Sequence, residues 1–94
     1  MSNGNASSFT KDPDATLDYG CDWSEWLDAG ETITASSWAV PLGLTLESAD
    51  HTGTLAVAWL SGGATGNVYR VTNRVTTSAG RTDERTLLIY VEER

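Results

Sequence analysis

"VYRVTNRVTTSAGRTDERTLLIYV", residues 68 to 91, reads as two runs of period two joined by a turn that contains Gly80. In the first run Tyr69, Val71 and Val75 share one parity, and Arg70, Thr72, Arg74 and Thr76 the other. That is the pattern of a strand with one face in a core and one in water. Asn73 falls on the inward parity, so it needs a hydrogen-bond partner inside. After "SAGRTDE" the pattern resumes as "RTLLIYV", with Leu87, Ile89 and Val91 on one face, and the two runs are expected to pair as an antiparallel hairpin. The charged group Arg81, Asp83, Glu84 and Arg85 then sits at the hairpin end. There its mixed signs keep a turn hydrated, and its acids pair with Arg81 and Arg85 for about 0.2–1 kcal/mol where exposed.

Outward from this hairpin, short β-branched or aromatic stretches recur between clusters of Gly, Asn, Asp and Ser. Strands are expected near "ATLDY" (15 to 19), "TITASSWAV" (32 to 40), "LTLES" (44 to 48) and "TLAVAWL" (54 to 60). Together with the hairpin they make six or seven, the spacing of an all-β, immunoglobulin-like antiparallel sandwich. "CDWSEWLDAG" is the one short helix-like piece, in which Asp22 caps a turn that carries Trp23, Trp26 and Leu27 before Gly30 ends it. Tyr69 follows the glycine-rich "GGATGN" at the head of a strand, where a tyrosine corner would bond its hydroxyl to the backbone upstream. Residues 1 to 10 hold a single aromatic, Phe9, and are expected to form a flexible tail ahead of a domain spanning 11 to 94.

Composition limits the function. Ninety-four residues with 39% hydrophobic content suffice for one small core. Thirteen acidic against six basic side chains give a net charge of -7, which disfavours nucleic acid because phosphate binding draws on Lys and Arg. The longest apolar run, "LAVAWL", is far short of the ~20 residues of a membrane helix, and no signal-peptide pattern opens the chain. Cys21 is the single cysteine, so no intrachain disulfide can form, in keeping with synthesis in a reducing cytoplasm.

No catalytic constellation emerges. His51 is the sole histidine and lies near Ser48 and Asp50, but no nucleophile elbow or oxyanion turn accompanies it, and an exposed loop histidine is the expectation. Asp12, Asp14, Asp18 and Asp22 suggest calcium, yet an EF-hand needs glycine and glutamate where Leu17 and Trp23 stand. They read instead as solvated turn acids, and no metal or cofactor is expected. Asp83 and Glu84 are adjacent on a strand, point to opposite faces and cannot flank one glycosidic bond.

Four tryptophans in so short a chain invite an interface. Trp59, inside the apolar run, is assigned to the core. Trp38 fits either core or interface, and Trp23 and Trp26 are the better candidates for contact with a partner. With Arg70, Arg74, Arg81 and Arg85 they form the expected docking set, since basic side chains on an acidic molecule suit a charge-complementary contact.

"DWSEWL", "SSWAVPLGLT" and "WLSGGATGNVYRVTNRVTTSAGRTDERTLLIYV" together resemble a family of small tailed-bacteriophage virion proteins, described as phage fiber-tail adaptor or related Ig-like structural proteins. The resemblance covers about residues 11 to 94. It implies a virion structural protein that docks in symmetric copies on tail, neck or capsid, as a fiber adaptor or a decoration protein, with other virion proteins as partners and neither nucleic acid nor membrane among them. The alternative is an Ig-like carbohydrate-binding module in which Trp23, Trp26 or Trp38 stacks on a glycan.

Overall fold

The computed structural model describes residues 7 to 93, and within them seven strands build two packed sheets. The strands are β1 (Ser7–Lys11), β2 (Leu17–Asp22), β3 (Ile33–Ala39), β4 (Leu44–His51), β5 (Leu55–Gly62), β6 (Val68–Thr77) and β7 (Thr82–Val91). One sheet has the order β1-β7-β6-β3 and the other β2-β5-β4. All pairings are antiparallel except that of β1 with β7.

The alternation along β6 and β7 sorts the core. Tyr69, Val71, Asn73, Val75 and Thr77 on β6, with Leu87, Ile89 and Val91 on β7, face inward and are buried. From the opposite sheet come Tyr19, Cys21, Leu44, Ala56, Ala58 and Leu60. The small Ala56 and Ala58 on the central strand and the indole of Trp23 are all wholly buried in this core. Cys21 is buried beside them, and burial pushes its thiol up to about 11 against the opposing charge of Arg85, so it stays a protonated, inert thiol at neutral pH.

Three expectations need correction. The first concerns the N-terminal tail. Residues 1 to 6 lie outside the described residues, but 7 to 10 belong to β1, paired in parallel from Ser7 with Leu87 to Lys11 with Val91. A strand added along an existing edge is held by main-chain hydrogen bonds and so needs little apolar surface of its own. Phe9 packs edge-on against Tyr19 at 5.2 Å. Lys11 ends the strand buried, its ammonium donating to the carbonyls of Gly62 (2.7 Å) and Asp12 (2.9 Å), and desolvation holds its pKa below the usual lysine value.

The second correction concerns the hairpin turn, which is shorter than expected. The turn is Ser78 to Gly80, with Gly80 at φ 81°, and Asp83, Glu84 and Arg85 already lie in β7. Glu84 therefore pairs with Arg74 across the strands at 3.5 Å, rather than with its neighbours in sequence. The third concerns Trp59, which is 43% exposed: its parity on β5 is opposite to that of Ala56, Ala58 and Leu60. An apolar run on a strand fills both faces, and only the register chooses which face is inside.

No helix occurs among the described residues; the segment after β2 is a single turn in which the N–H groups of Trp26 and Leu27 donate to the carbonyl of Trp23 (3.0 and 3.1 Å). Asp22 caps it by accepting from the Ser24 N–H at 2.9 Å, and Gly30 follows at φ 80°. The expected tyrosine corner is present. The Tyr69 hydroxyl accepts from the backbone N–H of Ala64 at 2.8 Å and from Asn67 Nδ2 at 3.4 Å.

Candidate interface surfaces

The seven sequence-derived interface residues fall into separate places. Trp23, Trp26, Arg81 and Arg85 meet at the end of the sandwich that carries the β2–β3 and β6–β7 connections. The Trp23 and Trp26 rings pack edge to face with centroids 5.1 Å apart. The Arg85 guanidinium lies 4.1 Å over Trp23 and that of Arg81 4.1 Å over Trp26. Such cation–π contacts contribute about 0.5–2 kcal/mol each, more as water is excluded. Arg85 Nη1 also donates to the Asp22 carbonyl at 2.7 Å.

These contacts look inward. Trp23 is fully buried, and its Nε1–H donates to Asn73 Oδ1 at 2.9 Å. It cannot be a contact residue for a partner, which corrects that assignment. The indole continues the inward parity of Tyr19 and Cys21 past the end of β2, and it supplies the partner that Asn73 requires. Asn73 Nδ2 completes the set by donating to Ser36 Oγ (2.9 Å) and the Ser37 carbonyl (3.0 Å), so one amide joins the β2–β3 connection, β3 and β6.

Arg81 belongs to a second lock, with Glu31, a residue that sequence reasoning passed over. Its Nε and Nη2 bond the two carboxylate oxygens of Glu31 at 2.9 and 2.5 Å, and Nη2 also donates to the Trp26 carbonyl at 3.2 Å. The same carboxylate accepts from the Thr77 hydroxyl and the Asp28 N–H. Bidentate geometry makes this the strongest charge pair described. A lone glutamate in "DAGET" carries no periodic signal, because its partners lie 46 and 50 residues away.

The Arg81 guanidinium, with Thr77 and the Asp28 amide, holds the Glu31 carboxyl down to about 2 from its ordinary 4.5. A depressed carboxylate stabilises the fold fully above pH 4.5, and that contribution is lost as pH falls from 4.5 toward 2. Thermal melts of the wild type should therefore fall through that window. Glu31→Gln should melt lower at pH 7 and show a flatter acid limb; an unchanged acid limb would mean that the lock does not drive the acid loss.

Arg70 and Arg74 stand on the outer face of the four-stranded sheet with Val68, Thr72 and Thr76. Across from them on β7 are Leu88 and Glu84, and hydroxyl pairs join Thr72 to Thr86 (3.2 Å) and Thr76 to Thr82 (3.3 Å). Trp38 is half-buried on β3 beside Asn73, its Nε1 buried without a hydrogen-bond partner. The exposed indole is Trp59, on the outer face of the three-stranded sheet between Asp18 and Ser48. His51 Nδ1 lies 3.0 Å from the Thr52 carbonyl oxygen, so that ring nitrogen is engaged by the main chain. Asp12 and Asp22 accept from N–H groups two residues on, as turn-forming acids do, and among the described residues no group of three or more His, Cys, Asp or Glu is placed to hold a metal.

Two sheets of four and three strands with a tyrosine corner define an immunoglobulin-like sandwich. The solution structure of the PKD domain from KIAA 1837 protein is similar, with a TM-score of 0.60 at 20% identity over 97% of this chain and 83% of that one; the likeness is one of fold. A search of curated proteins finds no match. Residues 11–90 match the family described as podophage GP4 fiber-tail adaptor protein gp77, and the chain belongs to that family. Its role is therefore a structural one in the phage particle.

Proposed function

We propose that the chain is a non-catalytic connecting piece of the virion, docked in several copies where the fibers join the tail, with other virion proteins as its partners. The family match over residues 11–90 carries this reading. The physical character of the chain supports it. Arg81 and Arg85, over Trp26 and the buried Trp23, are used in internal locks that stiffen a small sandwich, and a net charge of -7 disfavours DNA and anionic membrane as partners. Repetition turns weak single contacts into firm attachment by avidity. Placement on the neck or capsid as a decoration protein would use the same stiffness but attach no fiber. Deleting the gene should give DNA-filled particles that lack fibers, and supplying the chain in trans should restore them. Fibers present on particles that lack the chain would overturn the adaptor reading.

A second reading, a glycan-binding module, rests on Trp59. This indole is exposed on a sheet face between Asp18 and Ser48, where a flat aromatic with polar neighbours can stack on a sugar. Titration with host polysaccharide, followed by tryptophan fluorescence, should show no saturable change if the role is purely structural.

A further inference from the structure

Large apolar side chains left in water are gathered at one end of the molecule. Among the described residues six of them are exposed, namely Leu17, Leu42, Leu46, Trp59, Val68 and Tyr90. All but Trp59 lie at or near the end that carries the β1–β2, β3–β4 and β5–β6 connections. Leu17 and Val68 open their strands, Tyr90 is next to last in its own, and Leu46 and Leu17 both pair with Leu60. The opposite end carries the polar connections with the Glu31–Arg81 lock. A chain free in solution gains nothing from such segregation.

Leu42 is the extreme case, at 97% exposure. It tips the turn Pro41 to Leu44, closed by the Leu44 N–H donating to the Pro41 carbonyl at 3.3 Å. Gly43, at φ 106°, takes the position that forbids a side chain. A Cβ there would also stand 2.8 Å from Cε1 of Tyr69. The turn thus packs against the tyrosine corner through its glycine and holds its leucine out to solvent. The surrounding loops are cross-linked. Gly63 N–H donates to the Gly43 carbonyl (2.8 Å), Lys11 Nζ to Gly62, Gly66 N–H to Val91 (2.8 Å) and Val91 N–H to Asn67 (3.0 Å). A knob held rigidly before contact loses little entropy on docking, which is the property of an anchor.

The exposed charge around the knob is mostly negative. Asp14 and Asp18 on the β1–β2 side, with Glu92 and Glu93 after β7, are exposed carboxylates of this end. Its cations among the described residues are Lys11, buried with its ammonium on two carbonyls, and Arg70, one residue into β6 from Val68. A second copy is a poor occupant. End to end, rim would meet rim; end to tail, the rim would meet exposed Glu25, Asp28 and Asp83, while Arg81 and Arg85 of that end are already engaged by Glu31, the Asp22 carbonyl and the two indoles. We propose that this end, with Leu42 as its anchor, docks into an apolar pocket flanked by Lys and Arg on a different virion polypeptide. The inference rests on the adaptor reading. The sandwich measures 25 by 20 Å in its two short dimensions, so an end face offers about 500 Å² per copy, below the ~800 Å² of a stable pairwise contact. Several copies must then bind together for attachment to hold.

The test supplies variants in trans to a phage deleted for this gene and counts copies per purified particle. Leu42→Asp should cut incorporation at least about tenfold, and so should the double charge reversal Glu92→Lys/Glu93→Lys, while Glu25→Lys at the opposite end should match the wild type. A photo-crosslinking residue at position 42 should join the chain to a different polypeptide, at a segment containing Lys or Arg. Incorporation of both the Leu42 and the double variant at wild-type levels, or crosslinks only between copies of this chain, would overturn the proposal and leave the adaptor reading standing. Absence of the wild-type chain from particles would instead remove the adaptor reading, and this inference with it.

Discussion

Trp23→Ala is expected to lower the unfolding free energy by about 3–5 kcal/mol, the range for deleting a large buried aromatic. The indole is the largest of the fully buried side chains, and its removal does three things together. It opens a cavity in the core beside the Trp26 ring, it strips Asn73 Oδ1 of its donor, and it leaves Arg85 without the ring it covers. Trp23→Phe separates these effects. It retains a ring for Arg85 and most of the volume, but loses the Nε1–H donor, so it should cost about 1–3 kcal/mol for the unsatisfied amide oxygen plus a smaller packing term. Denaturant unfolding with unchanged m-values measures both. Trp23→Ala within about 1 kcal/mol of wild type would mean that the indole is not the centre of this core. Against a total of about 5–15 kcal/mol for a domain of this kind, the alanine variant should be largely unfolded at 37 °C.

Ile89→Ala should cost about 2–5 kcal/mol. Ile89 is fully buried in the middle of the core face of β7, opposite Tyr69 on β6 and Phe9 on β1. Truncation there cannot be filled by an exposed neighbour swinging in, because β7 is flanked by strands on both sides and covered by the second sheet. The comparison is Leu88→Ala, one residue away on the outward parity, which should cost well under half as much. Equal losses at 88 and 89 would contradict the register. Hydrogen exchange offers a second check: the amides of β6 from Thr72 to Val75 should be among the slowest, since there β6 is paired with both β3 and β7.

The hairpin was legible because its two strands are amphipathic, and period two is a local property. Tyr69, Val71, Val75, Leu87, Ile89 and Val91 all lie where alternation puts them, and the inward Asn73 has the partners its position demands. The tyrosine corner was legible for a similar reason, since a glycine turn and a tyrosine are neighbours in the chain. The tryptophans were harder. Composition marks them as important but is silent on direction, so Trp59 and Trp23 exchange the roles expected of them: Trp59 turns to solvent on β5, and Trp23 is fully buried.

Of the expected interface set, Arg81 and Arg85 have structural duties that only distant residues reveal. Arg85 reaches Trp23 and the Asp22 carbonyl, 63 residues away in sequence, and Arg81 reaches Glu31, 50 away. The apolar end around Leu42 was likewise invisible, because Leu17, Leu42, Leu46, Val68 and Tyr90 belong to five different segments that meet only when the sheets stack.

Neighbouring residues were enough to read the all-β class, six of the seven strands, the 68–91 hairpin and the acidic, single-cysteine character of the chain, because alternation, turn chemistry and charge are local properties. The tertiary structure alone decided that residues 7 to 10 form an edge strand, which face of β5 is wet, how Glu31 and Arg81 meet, and where the exposed apolar groups collect. Each of those depends on main-chain pairing or on side chains brought together from far apart. A strand held by its backbone, or an ion pair closed across 50 residues, leaves no period for a local reading to find.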